Sequence, residues 1–290
     1  MSVQFDLFLH SADVVAETEL REALLERRAN EAQQKLRELR VRNPDHRVLE
    51  PASAIIDALK APPPHDPNTA LERLERLEAA WSPAAKTLFG VDEGRDLLAP
   101  LWRAAGVALD SIRFDPDHPD RHASRAYLMY EDWAAVLRVI EAEQDYEHQP
   151  VLLERMAQAL WQLNRTVQAF ERWFTLCWLA PAYFERMIRT ERIPASILAE
   201  YWNQAMDADM EPELSIEWYP AWVLLHEPGL ARSVTRRAAV ADPERVFNLI
   251  KELLSGNDKQ LALRRELRDI HPGLFHYYLH HRVQSLNVVL

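Results

Sequence analysis

Two groups of histidines have residue types and spacings that could bind a metal ion. Near the end of the chain, His276 and His280 lie four residues apart, so a helix would present both imidazoles on one face. A third ligand would have to come from elsewhere, and His271 is one candidate. The competing interpretation is that the histidines lie on the exposed side of a terminal helix whose apolar side is Leu274, Tyr278 and Leu279.

The second group lies in the segment FDPDHPDRH, residues 114–122. Its aspartates and histidines loosely resemble a cation site, but the segment lacks the Gly and the closing Glu of a helix–loop–helix calcium site. Asp and Pro at a turn between helices are explained by capping. We therefore interpret the segment as a break between helices.

Common catalytic motifs are absent from the sequence. It contains no GxxxxGK[ST] phosphate loop, no GxSxG elbow and no HExxH pair, and only 6 of its 290 residues are Gly. Cys177 is the single cysteine, so an internal disulfide is excluded, and we expect a buried core thiol. The sequence favours a protein without catalysis or cofactor. A metal-dependent enzyme that uses His276 and His280 is the alternative.

The charge balance bears on the class of partner. The net charge of −11 disfavours direct binding of nucleic acid, because phosphate contacts need clustered cations. Acidic runs at residues 141–148 and 207–213 are either solvated helix ends or an acidic surface for a basic partner. We find no signal peptide and no apolar stretch of membrane-spanning length, and we expect a cytoplasmic protein that does not bind membranes.

The N-terminal string Gln4-Phe5-Asp6-Leu7-Phe8 resembles the bacterial sliding-clamp-binding peptide, whose pattern is Gln-Leu-[Ser/Asp]-Leu-Phe. Phe5 departs from the pattern, and the other four residues match it. The resemblance implies a short, extended peptide whose Leu7 and Phe8 enter one hydrophobic pocket of a clamp while Gln4 forms hydrogen bonds. The protein would then be a clamp-associated accessory factor in bacterial DNA replication or repair.

A structural role is the competing interpretation of the same string. Phe5, Leu7 and Leu9 alternate with polar residues, so they would equally serve to cover the first helix pair. The pattern alone leaves both interpretations open, because short motifs often match by chance.

Helical periodicity dominates the remainder of the chain. Apolar residues at three- and four-residue steps predict two helices over 15–41, and a short helix follows over 52–60. The segment APPPHDPNTA, residues 61–70, has four prolines and is predicted to be a linker or exposed loop. Asn68 or Thr69 is expected to cap the next helix.

From residue 119 onward, prolines recur every 31 residues. They are Pro119, Pro150, Pro181, Pro212 and Pro243, and Pro272 nearly continues the series. Predicted helix breaks fall about midway between them, at residues 164–165, 227–229 and 255–257. A period of this length is typical of stacked supersecondary units.

A small residue precedes a proline by twelve positions in three places. The pairs are Ala32 with Pro44, Ala169 with Pro181, and Ala231 with Pro243, each predicted to frame one helix. In this spacing the chain resembles the tetratricopeptide repeat family, in which a small residue on the second helix lets the first approach closely. Ala157 matches the small position of a first helix. The period is 31 rather than about 34, and the signature Gly and Tyr are mostly absent.

The resemblance covers about half of the chain and implies an all-α fold of stacked antiparallel helix pairs, an α-solenoid. An irregular helical bundle is the alternative. We expect an N-terminal peptide with the first helix pairs over 1–60, the Pro-rich segment over 61–70, and a helical repeat domain over 71–290. Stacked pairs leave a concave surface, so the expected function is a non-catalytic adaptor that binds a protein or peptide.

Overall fold

Helices form all the regular structure in the described part of the chain, which contains no β-strand. The predicted all-α class is therefore confirmed. The chain divides into two compact units, unit 1 (Met1–Val139) and unit 2 (Ile140–Leu290), which we describe separately. The computed structural model describes the backbone of residues 3–190, 196–208, 214–236, 238, 240–256 and 260–287. Within those ranges it describes the side chains of residues 12–190, 197–208, 214–236, 238, 240–256 and 260–280.

Unit 1 consists of packed helices joined by short connections. The helices are α1 (Val3–Leu25), α2 (Ala29–Arg42), α3 (Leu49–Lys60), α4 (Pro67–Arg76), α5 (Ser82–Phe89), α6 (Val91–Leu109), α7 (Ala123–Met129) and α8 (Trp133–Glu141), and the division between the units falls near the end of α8. A π-helical segment, Leu77–Trp81, continues α4 into α5, and a 3₁₀ turn, Pro119–Arg121, precedes α7. The two helices predicted over 15–41 and the helix predicted over 52–60 are confirmed by α1, α2 and α3.

The Pro-rich segment lies within unit 1 and is shorter than the sequence indicated. Helix α4 already begins at Pro67, because Pro is compatible with the first turn of a helix. The cap is Asp66 rather than Asn68 or Thr69, since the carboxylate of Asp66 accepts the Thr69 N–H at 3.0 Å. Thr69 completes the capping box by accepting the Asp66 N–H at 3.3 Å. The loop proper is therefore residues 61–66.

A glycine allows α5 and α6 to approach closely in unit 1. A Cβ atom placed on Gly94 would lie 2.9 Å from the backbone carbon of Ala85, which is closer than side chains pack. Gly90, with a φ of 85°, forms the one-residue turn between the two helices. Gly90 and Gly94 are thus used where these two helices meet.

Unit 2 contains the helices that surround the candidate site. They are α9 (Pro150–Gln162), α10 (Thr166–Leu179), α11 (Pro181–Arg189), α12 (Ser196–Asp207), α13 (Tyr219–His226), α14 (Pro228–Ser233), α15 (Asp242–Leu254), α16 (Gln260–Ile270) and α17 (Pro272–Asn287). Two 3₁₀ turns are Tyr146–His148 and Ile216–Trp218. No helix in the described residues has both the length and the apolar character needed to cross a membrane.

The spaced prolines mark helix starts in unit 2. Pro150, Pro181 and Pro272 are the first residues of α9, α11 and α17, and Pro243 is the second residue of α15. A proline is tolerated there because its missing N–H would have no partner within the helix. Pro212 lies outside the described residues. The regular spacing therefore reflects regularly placed helix N-termini.

The Ala–Pro spacing frames a helix in two of its three places. Ala32 on α2 and Ala169 on α10 are both fully buried, and each helix ends just before the matching proline. The third prediction was wrong, because α14 ends at Ser233 and residues 234–236 are not helical. Membership of the tetratricopeptide family stays a prediction.

Helices α9 and α10 form a closely packed pair joined by a three-residue turn. Ala157 and Ala169 are completely buried, so neither carries a side chain that would hold the helices apart. Asn164 adopts a φ of 58° in the turn, a left-handed conformation that Asn tolerates better than most residues. The predicted break at residues 164–165 is thus confirmed.

Cys177 is a core residue, as predicted. Its thiol is buried and donates a hydrogen bond to the carbonyl of Ile216 at 3.0 Å. Burial raises the pKa of the Cys177 thiol well above its usual value, so the reactive thiolate is disfavoured. The aromatic residues of α10 also pack in the core, with Phe170 and Trp173 in edge-to-face contact at 5.8 Å.

Candidate functional site

The two candidate metal ligands on α17 lie on the solvent-exposed side of the helix. His276 and His280 are exposed, and Leu274 and Tyr278 are buried, as the structural interpretation predicted. Leu279, which it also placed on the apolar side, is exposed. The described residues include no group of three or more His, Cys, Asp or Glu side chains that could hold a metal ion. Metal binding by His276 and His280 stays a prediction.

His271 caps α17 and is not available as the third ligand. Its Nδ1 accepts the Leu274 N–H at 3.2 Å, and the side chain is almost completely buried. Its Nε2 has no hydrogen-bond partner among the described residues and the ring packs edge-on against Trp218 at 4.7 Å. Burial lowers the pKa of His271, so the neutral imidazole is favoured.

The acidic segment 114–122 is a capped connection between helices, as predicted. The His118 ring lies 2.9 Å from a carboxylate oxygen of Asp115, and this hydrogen bond is the largest cause of the lowered pKa of Asp115. His122 is buried and caps α7 through its contact with the Ser124 N–H. Asp115, His118 and His122 are thus used in local structure.

The N-terminal string, residues 4–8, lies in the first turns of α1. Its backbone is helical there rather than extended. The side chains of Gln4, Phe5, Asp6, Leu7 and Phe8 lie outside the described side chains. Binding to a sliding clamp therefore stays a prediction.

An apolar concavity in the described part of unit 2 is one that the sequence did not indicate. We call it the unit-2 groove. It has a volume of about 350 Å³ and lies among the end of α9, the start of α10, and helices α12 and α14. Its apolar lining consists of Trp161, Val167, Phe170, Ile197, Tyr201 and Leu230.

An aromatic wall forms one side of the unit-2 groove. Trp161 at the end of α9 contacts Phe170 of α10 edge-to-face at 6.2 Å, because the short α9–α10 turn places the two residues side by side. Trp161 also contacts the buried Trp173 at 5.7 Å. Because buried rings support it, this wall is fixed before any ligand binds.

An acidic residue borders the same groove. Glu227, between α13 and α14, accepts a hydrogen bond from the hydroxyl of Tyr201. Burial and the nearby carboxylates of Glu227 and Glu200 raise the pKa of Tyr201, so its hydroxyl stays protonated. Among the described residues that line the groove, Glu227 is the one with a formal charge. The groove thus combines an apolar surface with one carboxylate.

A hydrogen-bonded aromatic cluster lies behind Tyr201. His226 packs against Tyr201 at 5.7 Å and against Trp222 at 4.5 Å. Its Nδ1 donates to the Trp222 carbonyl at 3.1 Å, because a carbonyl can only accept. Its Nε2 lies 2.8 Å from the hydroxyl of Tyr277, and the two groups share a hydrogen bond. These contacts hold Tyr201 and Glu227 in place.

Comparison with known proteins assigns no family. No protein-family model, curated protein or solved structure matches the chain. The functional argument therefore depends on the groove itself.

Proposed function

We propose that the protein is a non-catalytic adaptor that binds a partner protein through the unit-2 groove. The occupant is a short segment of the partner with one or two large apolar side chains and adjacent Lys or Arg residues. The observation that carries the proposal is the preformed apolar groove bordered by Glu227.

The size of the groove favours side chains over a large cofactor. Its volume of about 350 Å³ is near the lower end of the range of about 300–1,000 Å³ typical of small-molecule pockets. An aliphatic or aromatic anchor from a partner would contact the aromatic wall and Leu230 and lose most of its exposure to water. Buried anchors of this kind supply most of the energy in peptide recognition.

Charge selects among apolar partners. Glu227 lines the groove, Glu200 lies near Tyr201, and the whole chain carries a net charge of −11. A basic segment is attracted to such a surface, and an acidic one is repelled. The proposal therefore commits to a basic, apolar segment.

Fluorescence anisotropy with defined peptides tests this function. The probes are labelled amphipathic peptides of about 15 residues with Leu and Phe on one face, flanked either by Lys or by Glu. We expect the Lys-flanked peptides to bind more tightly. Val167→Arg puts a positive charge on the apolar wall and should weaken their binding by at least about tenfold.

Two further variants sharpen the experiment. Val41→Arg makes the same substitution on α2 at a position that is 84% exposed, and should leave binding unchanged. Glu227→Gln retains an acceptor for the Tyr201 hydroxyl and should reduce the preference for Lys-flanked peptides. Absence of binding by both peptide sets, or equal binding by wild type and Val167→Arg, would overturn the proposal.

A further inference from the structure

A second concavity lies in unit 1, between α3, α4 and loop 61–66. We call it the Pro-loop pocket, and its volume is about 340 Å³. Three cationic residues line it, Lys60, Arg73 and Arg76, together with two carboxylates, Asp57 and Glu72. Positive charge is therefore in excess here, although the chain as a whole is acidic.

Arg73 is the most unusual residue in the Pro-loop pocket. It is only 8% exposed, its guanidinium lies over the Trp81 ring at 5.4 Å, and its Nη2 donates to the Pro62 carbonyl. Its Nη1 is shielded from solvent and has no hydrogen-bond partner among the described residues. A buried cationic donor without an anionic partner is unfavourable in a folded protein.

Two other arginines in unit 1 each pair with a carboxylate. Arg95 pairs with Glu131 at 2.6 Å, and Arg125 pairs with Glu78 at 2.8 Å. Arg73 has no such pair in the described part of the chain. Burial first, and the positive charge of Arg76 second, lower the pKa of its guanidinium. An anion placed between Arg73 and Arg76 would remove this repulsion.

We propose that the Pro-loop pocket binds a small oxyanion, a phosphate or carboxylate group, through Arg73 and Arg76. The planar guanidinium of an arginine carries paired N–H donors whose spacing matches the oxygens of a phosphate or a carboxylate. Lys60 adds positive charge at the edge of the pocket, where its ammonium donates to Gln33. Arg76 is exposed and makes the first contact with the ligand.

Loop 61–66 covers Arg73. Because Nη1 is shielded, a ligand oxygen reaches it only after a small displacement of residues 61–66. Three consecutive prolines, Pro62–Pro64, restrict the backbone of this loop, so ordering it around a ligand costs little conformational entropy. The capping box at Asp66 fixes the end of the loop to α4.

Isothermal titration calorimetry of the full chain tests the inference. Inorganic phosphate and acetate are titrated separately at constant ionic strength, maintained with sodium chloride. We expect saturable one-to-one binding of at least one anion, and the pair of titrations distinguishes a phosphate site from a carboxylate site. Arg76→Gln should weaken binding by roughly tenfold, as expected when a charge-assisted contact is lost.

Two variants complete the experiment. Arg73→Gln should also weaken binding, and circular dichroism shows whether it folds. Arg42→Gln removes the same charge from an exposed position at the end of α2 and should bind as the wild type does. No saturable binding of either anion, or unchanged affinity in Arg76→Gln, would overturn the inference.

Discussion

The unit-2 groove and the Pro-loop pocket have nearly the same volume and opposite chemistry. The groove is walled by aromatic and aliphatic side chains and has one carboxylate, Glu227. The Pro-loop pocket is lined by three cations and two carboxylates and holds an arginine without an anionic partner in the described residues. Concavity alone therefore says little about function, and the groups that line a concavity decide which ligand it can bind.

The two regions also differ in how they are supported. The groove stands on a cluster of packed rings, among which Trp222 is completely buried. The Pro-loop pocket depends on the six-residue loop 61–66, which ends at the N-cap of α4 and covers Arg73, stacked on Trp81. We expect the groove to be rigid because buried rings resist rearrangement, and the loop to yield locally.

Trp222→Ala should have the largest effect. This substitution removes the largest ring beneath Tyr201 and should destabilise unit 2 by about 3–5 kcal/mol. Trp161→Ala, at a partly exposed position on the groove wall, should cost less than half as much while still weakening peptide binding. Urea unfolding monitored by circular dichroism measures both. Equal losses of unfolding free energy in the two variants would show that Trp161 in the groove wall and Trp222 beneath it contribute equally to stability.

Asp66→Ala should have an intermediate effect, confined to the Pro-loop pocket. It removes the side chain that accepts the Thr69 N–H, so α4 loses its cap. The thermal midpoint should fall, and anion binding should weaken with it. Asp66→Asn retains a capping oxygen, so its thermal midpoint should fall less in the same melting experiment. A fall of equal size in both variants would mean that the carboxylate charge, and not the cap, matters.

Replacement of His271 should have the smallest effect on the free energy of unfolding, and this effect depends on pH. Its folded-state pKa lies below the ordinary value of 6.5, so the unfolded chain binds a proton first as the pH falls. The stability associated with the neutral ring is therefore present above about pH 6.5 and is lost below it. His271→Asn can still cap α17 and should show a flatter dependence of unfolding free energy on pH between about 6.5 and 5.

An exposed histidine provides the control for this measurement. His276→Asn changes a residue on the solvent side of α17 and should leave the pH dependence as in the wild type. If the dependence of His271→Asn also matches that of the wild type, burial of His271 does not contribute to acid sensitivity.

Much of the fold could be predicted from local patterns. The three- and four-residue spacing of apolar residues predicted α1 and α2, and the spaced prolines coincide with helix N-termini such as Pro150 and Pro181. These features depend on residues close in sequence. The Ala231–Pro243 prediction was wrong because spacing alone does not require the intervening residues to be helical.

The groove could not be predicted in the same way. Trp161, Tyr201 and Glu227 come from three separate parts of the chain, and no short-range pattern connects them. The orphaned donor of Arg73 likewise becomes visible only when the Pro62 carbonyl and the Trp81 ring are placed around it. Charge and hydrophobicity were readable from the sequence, whereas their placement depended on packing between distant elements.

Hydrogen exchange measured with and without a Lys-flanked apolar peptide tests the central claim most directly. If the unit-2 groove binds a basic, apolar segment, the peptide should slow exchange in residues 161–170, 197–201 and 227–233. Residues 61–76 should be unaffected, and Val167→Arg should remove the protection. Unchanged exchange in the three groove segments at saturating peptide, or protection confined to residues 61–76, would contradict the account.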